Sequence, residues 1–177
     1  MAKVILRILT PLLAIYLSLP ALTSPARATG LVGQASIIDG DTLEIHGTRI
    51  RLWGIDAPES SQLCRGADSL PYRCGAKAAT ELAALVIDRP VSCNTMSIDR
   101  YGRTVALCTV SGLDLADWLV RHGLALDWRR YSQGHYAGAQ DEAQRRSVGI
   151  WSGSFVEPWR FRDCIRLGGR TESCSDQ

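Results

Sequence analysis

Between residues 33 and 56 short apolar and polar runs are separated by glycine-containing turns, and from Thr48 to Leu52 the two kinds of residue come close to a period of two. That period marks extended chain with one buried face. Strands are predicted at 33–39 and 42–46, on either side of Asp39-Gly40-Asp41, and at 49–55 beyond a turn at His46-Gly47-Thr48. In Thr48-Arg49-Ile50-Arg51-Leu52-Trp53 the alternation puts Arg49, Arg51 and Trp53 on one face and Ile50 and Leu52 on the other. From Ala76 the period changes to that of a helix. Ala78, Leu82, Leu85 and Val86 share one face of an alanine-rich stretch, predicting a helix over 76–87 that Arg89-Pro90 ends. Two more strands, 91–96 and 104–110, flank a turn at Asp99–Arg103. Helices are then predicted over 113–122, stopped by Gly123, and over 136–147, with Gly149 just past its end. Residues 60–74 are polar and contain Gly66 and Pro71, so they read as a surface loop. Residues 152–177 have weak periodicity and read as a tail laid over the domain by Phe155, Trp159 and Phe161. Short strands followed by helices make an α+β pattern.

The start of the chain stands apart. Lys3 and Arg7 precede an apolar run from Ile8 to Leu22, and Ala26-Arg27-Ala28 supplies small residues at cleavage spacing. Residues 1–28 therefore read as a secretory signal, which makes the mature protein periplasmic or secreted. The run is shorter than the ~20 residues a spanning helix needs, so no stable membrane association is expected after cleavage. Setting aside Lys3, Arg7 and Arg27 turns the net charge of +2 into −1. A near-neutral chain has no overall field with which to grip nucleic acid, so any such grip must be local.

All six cysteines follow the signal. An even number in an exported chain predicts disulfides. Six cysteines allow 15 pairings, and spacing favours one set. Cys93 and Cys108 are equidistant from the Arg100-Tyr101 turn and would face each other across a hairpin. Cys64 with Cys74 would staple a loop, and Cys164 with Cys174 the tail. The spacings do not fit paired Cys-x-x-Cys zinc ligands.

Candidate chemistry is concentrated in three short stretches: Asp39-Gly40-Asp41, Arg51-Leu52-Trp53-Gly54-Ile55-Asp56-Ala57-Pro58-Glu59, and Asp99-Arg100-Tyr101-Gly102-Arg103. Asp39, Asp41 and Asp56, without a neighbouring histidine or cysteine, form an oxygen-only set suited to Ca²⁺ or Mg²⁺. Glu59, stiffened by Pro58, is placed to accept a proton from water. Arg51 and Arg103 carry planar guanidiniums that match phosphate oxygens. Tyr101 could stack on a base. His46, His122 and His135 lie in a turn, a helix end and a polar loop, and are assigned no catalytic part.

The order and spacing of these stretches resemble the staphylococcal nuclease (thermonuclease) family, over roughly residues 33–151. The resemblance implies a five-stranded OB-fold Greek-key β-barrel with three α-helices. It divides the chain into a signal (1–28), a nuclease domain (29–151) and a C-terminal extension (152–177) packed on or near that domain. It implies Ca²⁺ held by Asp41, Asp56 and the carbonyl of Ala57, with Asp39 at the edge. The family pattern has threonine at the Ala57 position, which leaves the carbonyl in place and removes a hydroxyl. Glu59, Arg51 and Arg103 take the catalytic roles, and Tyr131 falls where the family packs a tyrosine on the nucleotide. Arg129 stands where the family has another tyrosine, and Arg49 and Arg100 are peripheral. The implied activity is hydrolysis of DNA and RNA to 3′-phosphates with little sequence preference; a monomer is the default expectation. Two other readings remain open: a non-catalytic module of the same fold binding nucleic acid or protein, and an accessory factor in extracellular-polymer metabolism.

Overall fold

A computed structural model describes residues 30–175, so the signal assigned to residues 1–28 lies outside the described residues. The described residues open with strands β1 (Leu31–Gly33), β2 (Ser36–Asp39), β3 (Thr42–Ile45), β4 (Thr48–Leu52) and β5 (Ile55–Asp56). Short strands β6 (Leu63–Arg65) and β7 (Pro71–Arg73) precede helix α1 (Cys74–Val86). The long hairpin β8 (Val91–Ile98) and β9 (Thr104–Val110) follows, then β10 (Leu113–Asp114) and α2 (Leu115–Arg121). Beyond β11 (Leu126–Asp127) come α3 (Arg129–Ser132), α4 (Ala137–Arg145), α5 (Pro158–Arg166) and α6 (Thr171–Cys174).

The main sheet runs β1-β8-β9-β4-β3-β2, with β10 added on β9. Its two ends, β1 and β2, are consecutive in the chain and separated by only Gln34-Ala35. One bent segment thus pairs with β8 on one side and β3 on the other, closing the sheet on itself. Counting β1 and β2 as that one strand, the closed sheet has five, with β10 as an addition. β4 and β9 pair in parallel, Arg51 opposite Val105. Inward positions fill the core: Leu43, Ile45, Ile50, Leu52, Ala106, Cys108 and Val110 from the sheet, with Ala78, Leu82, Val86, Leu115 and Leu119 from α1 and α2. Each large aliphatic side chain among them that is removed from water contributes about 1.5–3 kcal/mol.

The expected disulfides Cys64–Cys74, Cys93–Cys108 and Cys164–Cys174 all form. Cys93 and Cys108 are direct register partners in β8 and β9.

One sequence expectation needs correction. Residues 60–74 are not a plain loop, because β6 and β7 pair and the Cys64–Cys74 bridge closes that hairpin onto α1. The tail, for all its weak periodicity, forms α5 and α6. Pro158 starts α5, where its fixed φ and missing N–H fit a helix N-terminus, and Phe161 is buried. The tail is tied to the barrel where Arg65 N donates to Ser154 O at 2.9 Å, Gln62 Nε2 to Val156 O at 2.6 Å, and Leu63 N to Ser175 Oγ at 2.9 Å.

Candidate active site

The β2–β3 turn, the end of β4, the segment after β5 and the β8–β9 turn converge on a cleft of about 780 Å³. Its wall includes Asp39, Asp41, Arg51, Ala57, Glu59 and Arg103.

Gly40 is what lets the β2–β3 turn approach. A Cβ there would sit 2.8 Å from the Ala57 Cβ and 2.9 Å from that of Ala78, closer than packed carbons tolerate. Beside it, Asp39 Oδ1 accepts from Asp41 N at 3.0 Å, and Asp41 O accepts from Leu52 N at 2.8 Å, which fixes the turn against β4. Asp41 is buried, with Oδ1 accepting from Thr42 Oγ1 at 3.0 Å. Burial pushes its carboxyl up to about 7; Arg51 pulls the other way, and Asp39 and Asp56 add to the rise. Burial and the neighbouring carboxylates thus oppose the charge of Asp41, and the Arg51 guanidinium supports it.

Asp56 lies deeper, fully buried in the β5–β11 pair opposite Leu126. Arg51 Nη2 donates to both Asp41 Oδ2 and Asp56 Oδ1 at 2.7 Å. Burial opposes the charge on Arg51, but Asp41 and Asp56 outweigh it and hold the guanidinium more basic than usual. Glu59 is half-exposed at the cleft edge. Its backbone is locked by reciprocal bonds with Gln62: Glu59 N donates to Gln62 Oε1 at 3.2 Å, and Gln62 N to Glu59 O at 2.8 Å. Gly75 in α1 permits this loop, since a Cβ there would fall 1.9 Å from the Glu59 carbonyl oxygen.

Across the cleft, Asp99 organises the β8–β9 turn. Its carboxylate accepts from Tyr101 N at 2.8 Å, Arg103 N at 2.9 Å and Arg103 Nε at 2.7 Å. Desolvation of the Asp99 carboxyl favours its neutral form, but these bonds together outweigh it and hold the group below its usual range. The Arg103 guanidinium carbon lies 5.6 Å from the Tyr101 ring centroid, and that tyrosine is 71% exposed, as a stacking platform would be.

A family model described as staphylococcal nuclease homologue matches residues 49–153. The chain belongs to the staphylococcal nuclease family. Over 129 residues, 70% of this chain, it is 46% identical to the succinoglycan biosynthesis protein ExoI of Rhizobium meliloti (strain 1021) and spans 66% of that protein's length. It is 31% identical over 169 residues to an uncharacterized endonuclease of Haemophilus influenzae, covering 90% of this chain and 88% of the other. With the micrococcal nuclease of Shigella flexneri it shares 30% identity over 143 residues, covering 71% and 76% of the two chains.

Within this nuclease-family barrel, Asp39, Asp41, Ala57, Arg51, Glu59, Arg103, Tyr101 and Tyr131 all border the cleft, and Asp56 lies beneath it. For the family's Ca²⁺ the donor chemistry fits: buried carboxylates and a backbone carbonyl, all oxygen. Among the described residues no cluster of three or more His, Cys, Asp or Glu is gathered closely enough to hold a metal ion.

Three participants escape a motif reading. Trp128 has the Arg51 and Arg162 guanidinium carbons each 5.6 Å from its ring centroid, meets Tyr131 edge-on at 4.4 Å, and lies nearly parallel to Trp159 at 6.4 Å. Gln62 is fully buried and ties the Glu59 loop to the tail at Val156. Arg162, on α5, reaches Asp56 and Glu59. Its only sequence signal was an arginine between Phe161 and Asp163 in a segment begun by Glu157-Pro158, a helix start that the weak periodicity obscured.

Proposed function

We propose that this chain is an exported, Ca²⁺-dependent nuclease that hydrolyses phosphodiesters of DNA and RNA, leaving 3′-phosphates, with residues 29–151 as the catalytic domain. The observation that carries the reading is the convergence of Arg51, Glu59 and Arg103 on one cleft beside Asp41. Export is supported by the apolar run before Ala26-Arg27-Ala28 and by three disulfides.

Asp41, Asp56, the Ala57 carbonyl and Asp39 would hold the cation. When bound, it supplies positive charge against the phosphate oxygens. Glu59 accepts a proton from a water whose oxygen bonds to phosphorus. The bond from phosphorus to the 5′ oxygen breaks, that oxygen takes a proton from solvent, and the phosphate stays on the 3′ side. Asp99 holds Arg103 by its Nε, which leaves the two terminal nitrogens of the guanidinium for a non-bridging oxygen. Charge-stabilising donors of this kind contribute about 10²–10³ each. Tyr101 and Tyr131 offer ring faces to bases without distinguishing them.

The test is digestion of single-stranded DNA and RNA by the mature protein in Ca²⁺, with analysis of product ends. Cleavage should stop in chelator, and Glu59→Gln should lower turnover by at least ~10². Undiminished cleavage in chelator refutes the cation requirement, and full activity of the variant refutes the role of Glu59.

A second reading, as an accessory factor in extracellular-polymer metabolism, is favoured by the 46% identity to a protein named for succinoglycan biosynthesis. Deleting the gene would then change polymer yield, and restoring it as Glu59→Gln would recover that yield.

A further inference from the structure

Arg162 lies outside the stretch matched by the family model, 49–153, yet it contacts the acid cluster through three hydrogen bonds. Its Nη1 donates to Asp56 Oδ1 at 3.0 Å and to Glu59 Oε1 at 2.9 Å, and its Nη2 donates to Asp56 Oδ2 at 2.8 Å. This is a bidentate fork on one carboxylate with a third bond to its neighbour. Asp56 Oδ1 also accepts from Arg51. Both oxygens of a fully buried carboxylate are therefore covered by guanidinium, and Asp56 has no place on the cleft wall. The arginine is not a loose surface chain. Its helix is anchored by buried Phe161 and by the Cys164–Cys174 bridge, and the segment before it by the bond from Gln62 to Val156.

We propose that Arg162 is a resident counter-ion of the acid cluster, which occupies Asp56 and Glu59 in place of the divalent cation, so that guanidinium and cation exclude each other. This rests on the reading that the cation binds Asp41 and Asp56. A hard cation needs oxygen lone pairs turned towards it. The fork on Asp56 already takes the front of that carboxylate, and a full positive charge within a few ångströms would repel a divalent ion. Without Arg162 or a cation, Asp41 and Asp56 would share the single charge of Arg51, which explains why a cluster built for a cation carries its own. The C-terminal extension thereby sets the affinity of a site whose ligands all lie in the barrel. Where a binding-competent state is populated only in part, apparent affinity falls by that fraction. A fork docked for about 0.9–0.99 of the time weakens cation binding by ~10–100-fold.

The test is calorimetric titration of Ca²⁺ into the wild-type protein, Arg162→Met and Arg162→Ala at one pH and ionic strength, with melting curves in parallel. Arg162→Met keeps apolar bulk against Trp128 and removes the charge. Both variants should bind Ca²⁺ about 10–100-fold more tightly than wild type, and Ca²⁺ should raise their melting temperatures by more. Equal or weaker binding in the variants overturns the inference. If neither neutral variant folds without cation, Ca²⁺-driven refolding decides: recovery of the fold on adding Ca²⁺ supports exchange of guanidinium for cation, and failure to fold in saturating Ca²⁺ refutes it. Wild-type binding with unaltered variant affinities sinks this inference alone. Absence of binding by every protein sinks the cation reading on which it rests.

Discussion

Asp41 should make the cation-free protein less stable as pH rises, and Asp41→Asn isolates that effect. Burial holds the folded-state carboxyl at about 7, against an ordinary value of 3.8. Between those two pH values the folded state binds more protons than the unfolded chain, so stability falls with rising pH; below about 4 both states are protonated and above about 7 both are ionised. A tenfold change in proton affinity is worth ~1.36 kcal/mol, so a rise from 3.8 to about 7 amounts to about 4 kcal/mol over the window. Asparagine has no proton to exchange at this position. Replacing Asp41 also removes its ion pair with Arg51, which lowers the stability of the variant as a whole and leaves the direction of the pH trend unchanged. Urea denaturation of both proteins in chelator, at several pH values between about 4 and 8, measures the difference directly. The stability of Asp41→Asn relative to wild type should climb by about 4 kcal/mol across that range. Saturating Ca²⁺ should flatten the climb by neutralising Asp41. Stability curves that stay parallel in chelator would refute the argument that Asp41 is buried without sufficient positive charge.

Gly75→Ala should cost about 1–3 kcal/mol by overpacking and lower turnover by displacing the Glu59 loop, since the new Cβ would fall 1.9 Å from the Glu59 carbonyl oxygen; a variant with wild-type melting temperature and rate would contradict that close approach. Unfolding and refolding in reductant should lower the melting temperature, because loops of 10 and 15 residues closed by disulfides each stabilise by about 3 kcal/mol. An unchanged melting curve would remove the bridges from the account of stability.

The barrel was legible where a local rule fixes the outcome. Alternation in Thr48–Trp53 does send Ile50 and Leu52 inward and leaves Arg49 exposed. The symmetry of Cys93 and Cys108 about their turn does make them register partners. The helices were expected at 113–122 and 136–147 and form at Leu115–Arg121 and Ala137–Arg145; Leu113-Asp114 pairs with β9 first, and the Asp114 side chain then caps α2 through Ala116 N and Asp117 N. Contacts between distant segments were not legible. No spacing rule relates Arg162 to Asp56, 106 residues earlier, or sets Trp128 against two guanidiniums. Gln62 read as one polar residue in a polar loop, although it is fully buried and joins that loop to Val156. Such residues acquire their roles only when the tail folds back, and a window along the chain does not contain that event.

The turn held by Asp99 has an entropic consequence for substrate capture. An arginine that wanders among rotamers must surrender about 0.5–1.5 kcal/mol of freedom when a ligand fixes it. Arg103 has already given up much of that freedom during folding, with its Nε bound to Asp99 at 2.7 Å and its backbone N–H bound to the same carboxylate. On the proposed reading that Arg103 meets the phosphate, a passing phosphodiester finds a guanidinium waiting in place, and the complex should last roughly 2- to 12-fold longer than one that had to still the side chain first.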